Sequence, residues 1–367
     1  MATPHRGLKP DHGKDARAPR ARARRRNIRF EAVGVTDIGR QRKHNEDHVL
    51  LRPELDLFVV ADGMGGHNAG DVASKLATVS LRNFYEATVD GDLPEGPLSE
   101  GYTELPYEAR RLAAGIRKAN RDVFEISSTY RQHHGMGSTV VAAHIARERG
   151  VMHVGHVGDS RCYRYREGDL VQLTHDHSLI NDALALKPDL TPEELARLPK
   201  NIITRALGMR EDVKVDIRTD DMTVGDIYLL CSDGLSGMVT EEEIGRVLGA
   251  AYAIEGSDLR EACETLVSLA NEAGGNDNIT ALLIRIEEMD EVGEGDDEDD
   301  DADVAGSGPE VEAGAMRRMN TDEIEAVATE QRARPTLVRC PRCAASVEPD
   351  NAFCTECGAS IETRAHP

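Results

Sequence analysis

Short runs of mostly apolar residues recur along this chain and predict its strands. They span residues 57–60, 151–157, 227–231 and 279–286, and Gly, Asn or Asp lies close to one end of each run. Apolar runs of this length, bounded by turn-forming residues, are typical of strands in a sheet. The pattern therefore predicts several buried strands between residues 57 and 286.

Other segments place apolar residues three and four positions apart, which is the spacing of one face of a helix. These are Val72, Leu76 and Val79; Leu112, Ile116, Ala119 and Val123; and Leu259, Cys263, Leu266 and Ala270. Ser257 or Asp258 precedes the last stripe and is a candidate N-cap. Because strands and helices do not alternate strictly, the order of elements favours an α+β fold, an antiparallel β-sandwich covered by helices, over a doubly wound sheet.

Residues 179–201 contain three prolines and interrupt this pattern. A short helix is predicted over residues 191–198, with Thr191 as its cap and Pro192 at its first position. The segment is either an ordinary surface excursion or a functional loop, since long loops often carry function.

Charge is distributed unevenly along the chain. The formal net charge is −22, of which residues 1–29 contribute +8 and residues 291–312 contribute −11, leaving −19 on the rest. Residues 1–28 lack apolar periodicity and are predicted to be a disordered basic arm, either a solvated tail or a contact for nucleic acid or membrane lipid. The acidic remainder argues against nucleic-acid binding by the body, whose footprint would be basic.

The sequence contains no apolar run of the ~20 residues that a membrane helix needs. No hydrophobic segment follows the basic N-terminal stretch either. The chain is therefore predicted to be cytoplasmic and to have no membrane span.

Acidic residues recur at the ends of the predicted strands. Asp62, Asp159, Asp233 and Asp277 each lie beside Gly or Asn, and Glu46-Asp47 forms an earlier acidic pair. Gly lets the backbone approach closely, and carboxylate oxygens are the ligands that Mg²⁺ and Mn²⁺ prefer. Each Asp alone is also a common turn residue, but together they predict a site for a cluster of divalent cations.

The order and wording of these motifs resemble the metal-dependent protein phosphatase family (protein phosphatase 2C). The resemblance runs from about residue 29 to residue 286 and rests on Thr36-Asp37-Ile38-Gly39, Arg42 to Asp47, Ala61-Asp62-Gly63-Met64-Gly65-Gly66, Gly137-Ser138-Thr139, Val157-Gly158-Asp159-Ser160-Arg161, Cys231-Ser232-Asp233-Gly234 and Gly275-Asn276-Asp277-Asn278. The wording around Asp62 is similar to the bacterial branch, whose partners are Ser/Thr protein kinases. The resemblance implies a four-layer αββα phosphatase domain over residues 29–288, in which residues 179–201 are a flap beside the metal site.

By this resemblance the chain hydrolyses phosphoserine and phosphothreonine on proteins at a centre of two Mn²⁺ or Mg²⁺ ions, with a weaker third ion. The sequence has neither a Cys-x5-Arg phosphatase loop nor an Asp-x-Asp pair after a predicted strand, so attack by a metal-bridged hydroxide is the predicted chemistry. The implied metal ligands are Glu46 or Asp47, Asp62 as the bridge, the Gly63 carbonyl, Asp233 and Asp277, with Asp159 joining Asp233 at the third ion. Arg42 is the implied phosphate-binding residue, and Asn278 is a candidate to orient ligands.

The proton donor for the leaving group is left open. Some family members carry His directly after the Asp-Gly pair, but here that position is Met64, which cannot donate a proton. His44 and His67 lie close in sequence and are either surface residues or candidate donors.

The cysteines fall into two groups. Cys162, Cys231 and Cys263 stand singly in apolar or helical settings and are predicted to be buried, reduced thiols. Two C-x2-C pairs near the C-terminus consist of Cys340, Cys343, Cys354 and Cys357. Their spacing predicts one structural Zn²⁺ in a zinc ribbon over residues 336–363, rather than a redox dithiol. Residues 289–335 are predicted to be an acidic disordered linker.

Two other functions fit parts of the chain. One is a catalytically weak scaffold that binds phosphoproteins, and the other is an adaptor led by the zinc ribbon and the basic arm. The ribbon lacks a basic face with interleaved aromatic residues, so a protein partner is favoured there over nucleic acid. The complete set of acidic motifs, together with Arg42, favours the enzyme.

Overall fold

The computed structural model describes residues 27–290, except for 66–68, 90, 92, 95, 97–100, 196, 200–201 and 254–256, together with 338–339 and 346–347. The strands of the main body are β1 (Ile28–Asp37), β2 (Asp47–Arg52), β3 (Leu57–Met64), β4 (Gly137–Ser138), β5 (Val140–Ala146), β6 (Val151–Val157), β7 (Arg161–Arg166), β8 (Asp169–Gln172), β9 (Asp216–Asp221), β10 (Ile227–Cys231) and β11 (Ile279–Met289). Its helices are α1 (Ala69–Ala87), α2 (Tyr107–Thr129), α3 (Leu179–Leu186), α4 (Pro192–Leu195), α5 (Asp233–Ser236), α6 (Glu241–Ala253) and α7 (Leu259–Glu272).

Two sheets stack face to face. One has the strand order β1-β11-β10-β7-β8 and the other has the order β2-β3-β5-β6-β9, with β4 paired to β3. Every strand pair in both sheets is antiparallel. Helices α1 and α2 pack on the second sheet, and α6 and α7 pack on the first. The predicted α+β fold, an antiparallel sandwich between helix layers, is confirmed.

The central strands bury both of their faces. On β3, Leu57 and Val59 pack toward α1 and α2, whereas Phe58 and Val60 pack between the sheets. The inner residues of β11 divide in the same way between the α6–α7 layer and the space between the sheets. Burial of each such side chain stabilises the fold by about 1.5–3 kcal/mol. Since both faces are buried, the sequences of these strands contain continuous apolar runs and do not alternate between apolar and polar residues.

The predicted helix stripes form, with small differences. Val72 and Leu76 of α1 are buried, but Val79 is only partly buried. At α7, Asp258 is the N-cap, since its side chain accepts from Arg260 N at 2.8 Å. Ser257 instead donates its hydroxyl to Ala251 O at 2.6 Å.

Residues 179–201 contain two helices where the sequence pattern predicted one. Helix α4 is shorter than predicted and begins with a capping box. Thr191 Oγ1 accepts from Glu194 N at 3.3 Å, and the Glu194 carboxylate accepts from Thr191 N at 2.9 Å. Helix α3 was not predicted, and none of its residues is buried.

The first and last strands of the main body, β1 and β11, pair with each other. β1 and β11 pair from Ile28↔Met289 onward, so the sheet extends one residue beyond each predicted domain limit. Cys162, Cys231 and Cys263 are buried and free, as predicted. None of the helices in the described part of the chain has the length and apolar character needed to cross a membrane.

Near the C-terminus, β12 (Val338–Arg339) and β13 (Ser346–Val347) form an antiparallel pair. The first C-x2-C pair occurs between these strands in the sequence. The four tail cysteines, the basic arm up to residue 26 and linker residues 291–335 lie outside the described residues.

Candidate metal centre and active site

Acidic residues from four parts of the chain meet at the ends of the central strands. Asp47 at the start of β2 is opposite Asp62 near the end of β3. Asp233 is the first residue of α5, two positions after the end of β10, and Asp277 lies two positions before β11. Asp62 lies close enough to the other acidic side chains for their charges to raise its pKa; these are Asp47, Asp233, Asp277 and Asp159. The structure thus brings together the acidic motifs that are far apart in sequence.

Asp47 is the most enclosed carboxylate of this set. Its side chain is buried, and its Oδ2 accepts from Ser232 Oγ at 2.7 Å and from Thr280 Oγ1 at 2.6 Å. Its Oδ1 is buried and has no hydrogen-bond partner. Burial raises the pKa of Asp47 to about 7, and the charges of Asp233 and Asp277 add to the rise against the effect of the two hydroxyls.

The other aspartates share this electrostatic problem. Burial, followed by the charges of its acidic neighbours, raises the pKa of Asp62 well above its usual range. Burial and then the charge of Asp233 raise the pKa of Asp159 to about 7, and burial and the charge of Asp277 raise the pKa of Asp233. Asp159 Oδ1 and Asp233 Oδ1 are also buried without a partner. A compensating positive charge is the simplest remedy for such a cluster.

Close backbone contact sets the position of the Asp62-Gly63 corner. Gly63 N donates to Glu46 O at 3.0 Å. A Cβ on Gly63 would lie 2.1 Å from the carbonyl oxygen of Gly70, in the first turn of α1. Only glycine fits there, so β3, α1 and the loop that carries Glu46 are held within direct contact of one another.

Asn278 fixes the loop that carries Arg42 and Glu46. Its Oδ1 accepts from Glu46 N at 2.8 Å, and its Nδ2 donates to Ile38 O at 3.0 Å and to His44 O at 2.9 Å. The predicted orienting residue therefore acts on the backbone of this loop. Glu46 itself is partly buried, and burial raises its pKa.

Arg42 lies at the exposed edge of the cluster. Its Nη2 donates to Asp277 Oδ2 at 2.5 Å, and its side chain is 49% exposed. It is therefore in contact with the acidic cluster and still accessible from solvent.

Sequence reasoning assigned no role to the hydroxyl groups that support the aspartates. Thr139 Oγ1 accepts from Asp62 N at 3.2 Å and shares a 2.6 Å hydrogen bond with Ser160 Oγ. At Asp47, the hydroxyls of Ser232 and Thr280 support the carboxylate by donating to its Oδ2. The available signal was local, because each hydroxyl lies within or close to one of the acidic or Gly-Ser-Thr motifs.

The donor set fits divalent cations that prefer oxygen. In the described part of the chain, no three of these carboxyl oxygens lie within 4.8 Å of one another. Mg²⁺ and Mn²⁺ take carboxylate and carbonyl oxygens as ligands and keep water in the remaining positions. Three buried carboxyl oxygens without partners are available as ligands.

The residues considered as proton donors are placed as follows. Met64 is the last residue of β3 and is partly buried. His44 is exposed, and its backbone carbonyl accepts from Asn278. His67 lies outside the described residues.

Comparison with known proteins agrees with this geometry. Residues 39–283 match the family described as "Protein phosphatase 2C". The serine/threonine phosphatase stp of Listeria monocytogenes is 37% identical over 253 residues, which are 68% of this chain and 93% of that protein. The Mycobacterium tuberculosis serine/threonine phosphatase PstP/Ppp superposes with a TM-score of 0.58 at 32% identity, covering 71% of this chain and 100% of that chain. The catalytic domain of PstP in complex with two manganese ions superposes with a TM-score of 0.57 at 31% identity and the same coverage.

The chain belongs to the protein phosphatase 2C family. It is an enzyme of the metal-dependent protein serine/threonine phosphatase class, as the sequence motifs predicted.

Proposed function

We propose that this chain hydrolyses phosphoserine and phosphothreonine in proteins by using two Mn²⁺ or Mg²⁺ ions at the acidic cluster, with a third ion at Asp159. The observation that carries the proposal is the meeting of Asp47, Asp62, Asp233 and Asp277, with buried oxygens that lack partners and with Arg42 at the edge. The two manganese ions of the PstP complex support the choice of metal.

Each residue of the cluster has a role in this proposal. Asp62 would bridge the two ions, and the Gly63 carbonyl would supply a neutral ligand. Asp233 and Asp277 would complete one ion, and Glu46 or Asp47 would serve the other, directly or through water. The burial of Asp47 and its free Oδ1 support it as a ligand to metal or to metal-bound water. Asp159 and Asp233 would hold the third ion.

The bound ions would lower the pKa of a water molecule and neutralise charge on the phosphoryl group. The protein supplies the rest of the arrangement. Arg42 would give up part of its contact with Asp277 to bind two phosphoryl oxygens, because its planar fork matches them. Asn278 and the hydroxyls of Thr139, Ser232 and Thr280 would hold the ligands in place during turnover.

The direct test is hydrolysis of a phosphothreonine peptide after chelation of all metal. We expect no phosphate release from the chelated protein and restored release on addition of Mn²⁺ or Mg²⁺. A protein that binds the phosphopeptide in the presence of Mn²⁺ but releases no phosphate would instead be the phosphoprotein-binding scaffold.

Stability should report on the cluster independently of catalysis. The pKa values of Asp47 and Asp159 are raised to about 7, so the folded metal-free protein holds protons that the unfolded chain has lost. Its free energy of unfolding should therefore lose this contribution as pH rises from about 4 to about 7. Because Mn²⁺ replaces these protons, the rise in Tm caused by Mn²⁺ should grow over the same window.

Thermal unfolding at about pH 5 and about pH 8, with and without Mn²⁺, measures this difference. The exposed Asp169→Asn variant is the matched control and should behave as wild type. A Tm increase that is the same at both pH values would contradict the assignment of these carboxyls as ligands.

A separate proposal concerns the C-terminal tail. Cys340, Cys343, Cys354 and Cys357 would bind one structural Zn²⁺ in a ribbon that captures a protein partner. The sequence spacing and the β12–β13 pair that flanks the first cysteine pair support this proposal. The like charges at 291–312 would keep the ribbon apart from the phosphatase body.

Truncation after Asp290 should therefore remove about one equivalent of tightly bound zinc. The same truncation should leave hydrolysis of a small phosphopeptide within about threefold of wild type, because a tethered ribbon acts by raising effective concentration. Elemental analysis and the peptide assay provide the two measurements. Unchanged zinc content would rule out the ribbon, and loss of peptide hydrolysis would place the tail in the active site.

We also propose a cytoplasmic role opposite a Ser/Thr protein kinase. The phosphatase class of the chain supports phosphoproteins as its substrates. Joint incubation of a kinase, its phosphoprotein and this chain would test whether the phosphoprotein loses its phosphate.

A further inference from the structure

Outside the acidic cluster, the structure contains a second group of titratable side chains that the proposed mechanism does not use. His156 of β6 is opposite Asp216 of β9 in the sheet. His177 stacks on His156, with ring centroids 4.7 Å apart and planes at 9°. Arg205 completes the group, since its Nη1 donates to Asp216 Oδ1 at 2.9 Å. His177 is almost fully enclosed, with 4% of its side chain exposed.

The hydrogen bonds determine where the proton on His177 lies. Gly158 N donates to His177 Nδ1 at 3.0 Å, so Nδ1 must carry a lone pair. The proton of a neutral His177 is then on Nε2, which lies 3.1 Å from Asp216 Oδ2 and 2.8 Å from Arg205 Nη1. Because a guanidinium group can only donate, Asp216 is the partner that accepts from Nε2, and Arg205 Nη1 donates to Asp216 Oδ1 and Lys214 O. The hydrogen bond from His177 and the charge of Arg205 hold the pKa of Asp216 well below its usual range, against the opposing effect of burial. The Asp216 carboxylate therefore favours the tautomer of His177 that has its proton on Nε2.

The ligand atoms of His156, His177 and Asp216 lie within 4.8 Å of one another, as a metal site would require. The hydrogen bonds that these side chains already make nevertheless argue against a metal ion here. Both nitrogens of His177 are already engaged. His156 Nε2 donates to His175 O at 2.8 Å, and the two stacked rings are parallel, so their lone pairs do not converge on one point. The charge of Arg205 beside Asp216 further opposes a cation.

His177 holds the Gly158 residue from both sides. Its side chain accepts from Gly158 N, and its own backbone N donates to Gly158 O at 3.0 Å. Gly158 has φ +112°, and a Cβ there would lie 2.6 Å from Thr139 Cβ. The next residue is Asp159, so the direction in which Asp159 leaves this corner depends on His177.

His177 also joins the two ends of segment 179–201. Thr204 N donates to His177 O at 2.9 Å, and Leu179 N donates to Ile202 O at 2.9 Å. The corner that carries Asp159 and the base of this segment therefore share one residue.

We propose that His177 is a positioning residue for the third cation: its Nδ1 acceptor orients the Gly158-Asp159 corner, and Asp216 supplies the tautomer that makes this acceptor available. The inference rests on the proposed role of Asp159 as a ligand to that cation. It adds a residue from outside the acidic cluster on which the third site depends.

Two substitutions separate the two nitrogens. In His177→Asn, the amide oxygen can replace Nδ1 and accept from Gly158 N, while the contact with Asp216 is lost. In His177→Gln, the longer side chain can still donate to Asp216 but offers no acceptor at the Nδ1 position. The two variants are matched in polarity and differ in the hydrogen bond that the proposal requires.

The experiment titrates metal-free protein with Mn²⁺ and counts bound ions by the electron paramagnetic resonance signal of free Mn²⁺. In H177Q we expect the dissociation constant of the weakest ion to rise about tenfold, the change that loss of one ordinary hydrogen bond produces. The two tighter ions should be unaffected. In H177N the weakest ion should bind within about threefold of wild type, because its acceptor is retained.

Asp159→Ala separates failure of this inference from failure of the third-ion site. If Asp159→Ala removes the weakest ion but H177Q does not weaken it, the role of His177 is overturned and the role of Asp159 stands. If Asp159→Ala leaves all ions in place, both are overturned. Equal loss of the weakest ion in H177N and H177Q, with an equal fall in Tm, would make His177 a purely structural residue and would also overturn the proposal.

Hydrogen exchange of the unaltered protein gives a check that needs no variant. The Gly158 amide should be as protected as amides within β6, and rapid exchange there would overturn the proposal.

Discussion

Replacement of Asp233 by Asn is expected to abolish most turnover while making the metal-free protein more stable. Asp233 is partly buried, has a buried Oδ1 without a partner, and is close enough to Asp277 for that charge to raise its pKa. The Asn side chain keeps the shape and removes the charge that would hold a cation. Since bound ions account for several kcal/mol of transition-state stabilisation, kcat on a phosphothreonine peptide should fall about a thousandfold.

Stability should change in the opposite direction. Burial and a like charge raise the pKa of Asp233, which means that the ionised form destabilises the folded state. The Tm of metal-free Asp233→Asn at neutral pH should therefore exceed that of wild type, and added Mn²⁺ should raise it less. The first turn of α5 should persist in Asp233→Asn, because Gly237 N donates to the backbone oxygen of residue 233 at 2.7 Å and not to its side chain.

The exposed Asp169→Asn variant serves as the control for a change of charge alone, and it should match wild type in kcat and Tm. Near-wild-type turnover of Asp233→Asn at saturating Mn²⁺ would remove Asp233 from the ligand set. Loss of turnover together with a lower Tm would indicate damage to the fold instead of loss of a ligand.

Replacement of Gly234 by Ala is expected to inactivate the enzyme without changing any charge. A Cβ at Gly234 would lie 1.9 Å from Asn278 O and 3.4 Å from Asp277 Cβ. The added methyl must push the start of α5 away from residues 277–278, and this separates Asp233 from Asp277. A displacement on the order of 1 Å at a catalytic group lowers the rate about a hundredfold. Overpacking of this kind also lowers the free energy of unfolding by about 1–3 kcal/mol.

Gly245→Ala is the matched control for this substitution. Gly245 lies within α6, and its nearest contact for a new Cβ is Leu170 Cβ at 3.9 Å. The change should leave kcat unaltered and raise the free energy of unfolding by about 0.5–1 kcal/mol, since Gly is a poor residue in a helix interior. If Gly234→Ala kept full activity and wild-type Mn²⁺ affinity, the close contact with Asn278 would not be what sets the geometry of the site.

The strands could be predicted because the central ones are buried on both faces. Residues 57–60 of β3 and 281–284 of β11 are buried on both faces and are all apolar, so each stretch forms an apolar run in the sequence. The stripes of α2 and α7 were visible for a related reason, because one face of each helix packs on a sheet. Helix α3 has no buried residue, so no packed face imposed a stripe on its sequence and it was missed.

The sequence predicted which residues form the candidate site, whereas the tertiary structure fixed their positions relative to one another. The sequence leaves open whether Glu46 or Asp47 is the enclosed carboxylate. Glu46 precedes β2 and Asp47 begins it, and their surroundings come from other segments of the chain. Pairing of β2 with β3 places Asp47 opposite Asp62 and encloses it under Ser232 and Thr280. His177, Asp216 and Arg205 were not found because their contacts join separate segments and follow no local pattern.

By itself, the sequence determined the chemistry that this chain can offer: oxygen ligands at strand ends, glycines beside them and an arginine nearby. Only the tertiary structure decided which of those oxygens lost water and hydrogen-bond partners, and therefore which carboxyls had their pKa values raised. Residue type is local and can be read from the chain. Desolvation and charge repulsion depend on every segment that surrounds a group, and they arise only when β2, β3, β10 and β11 come together.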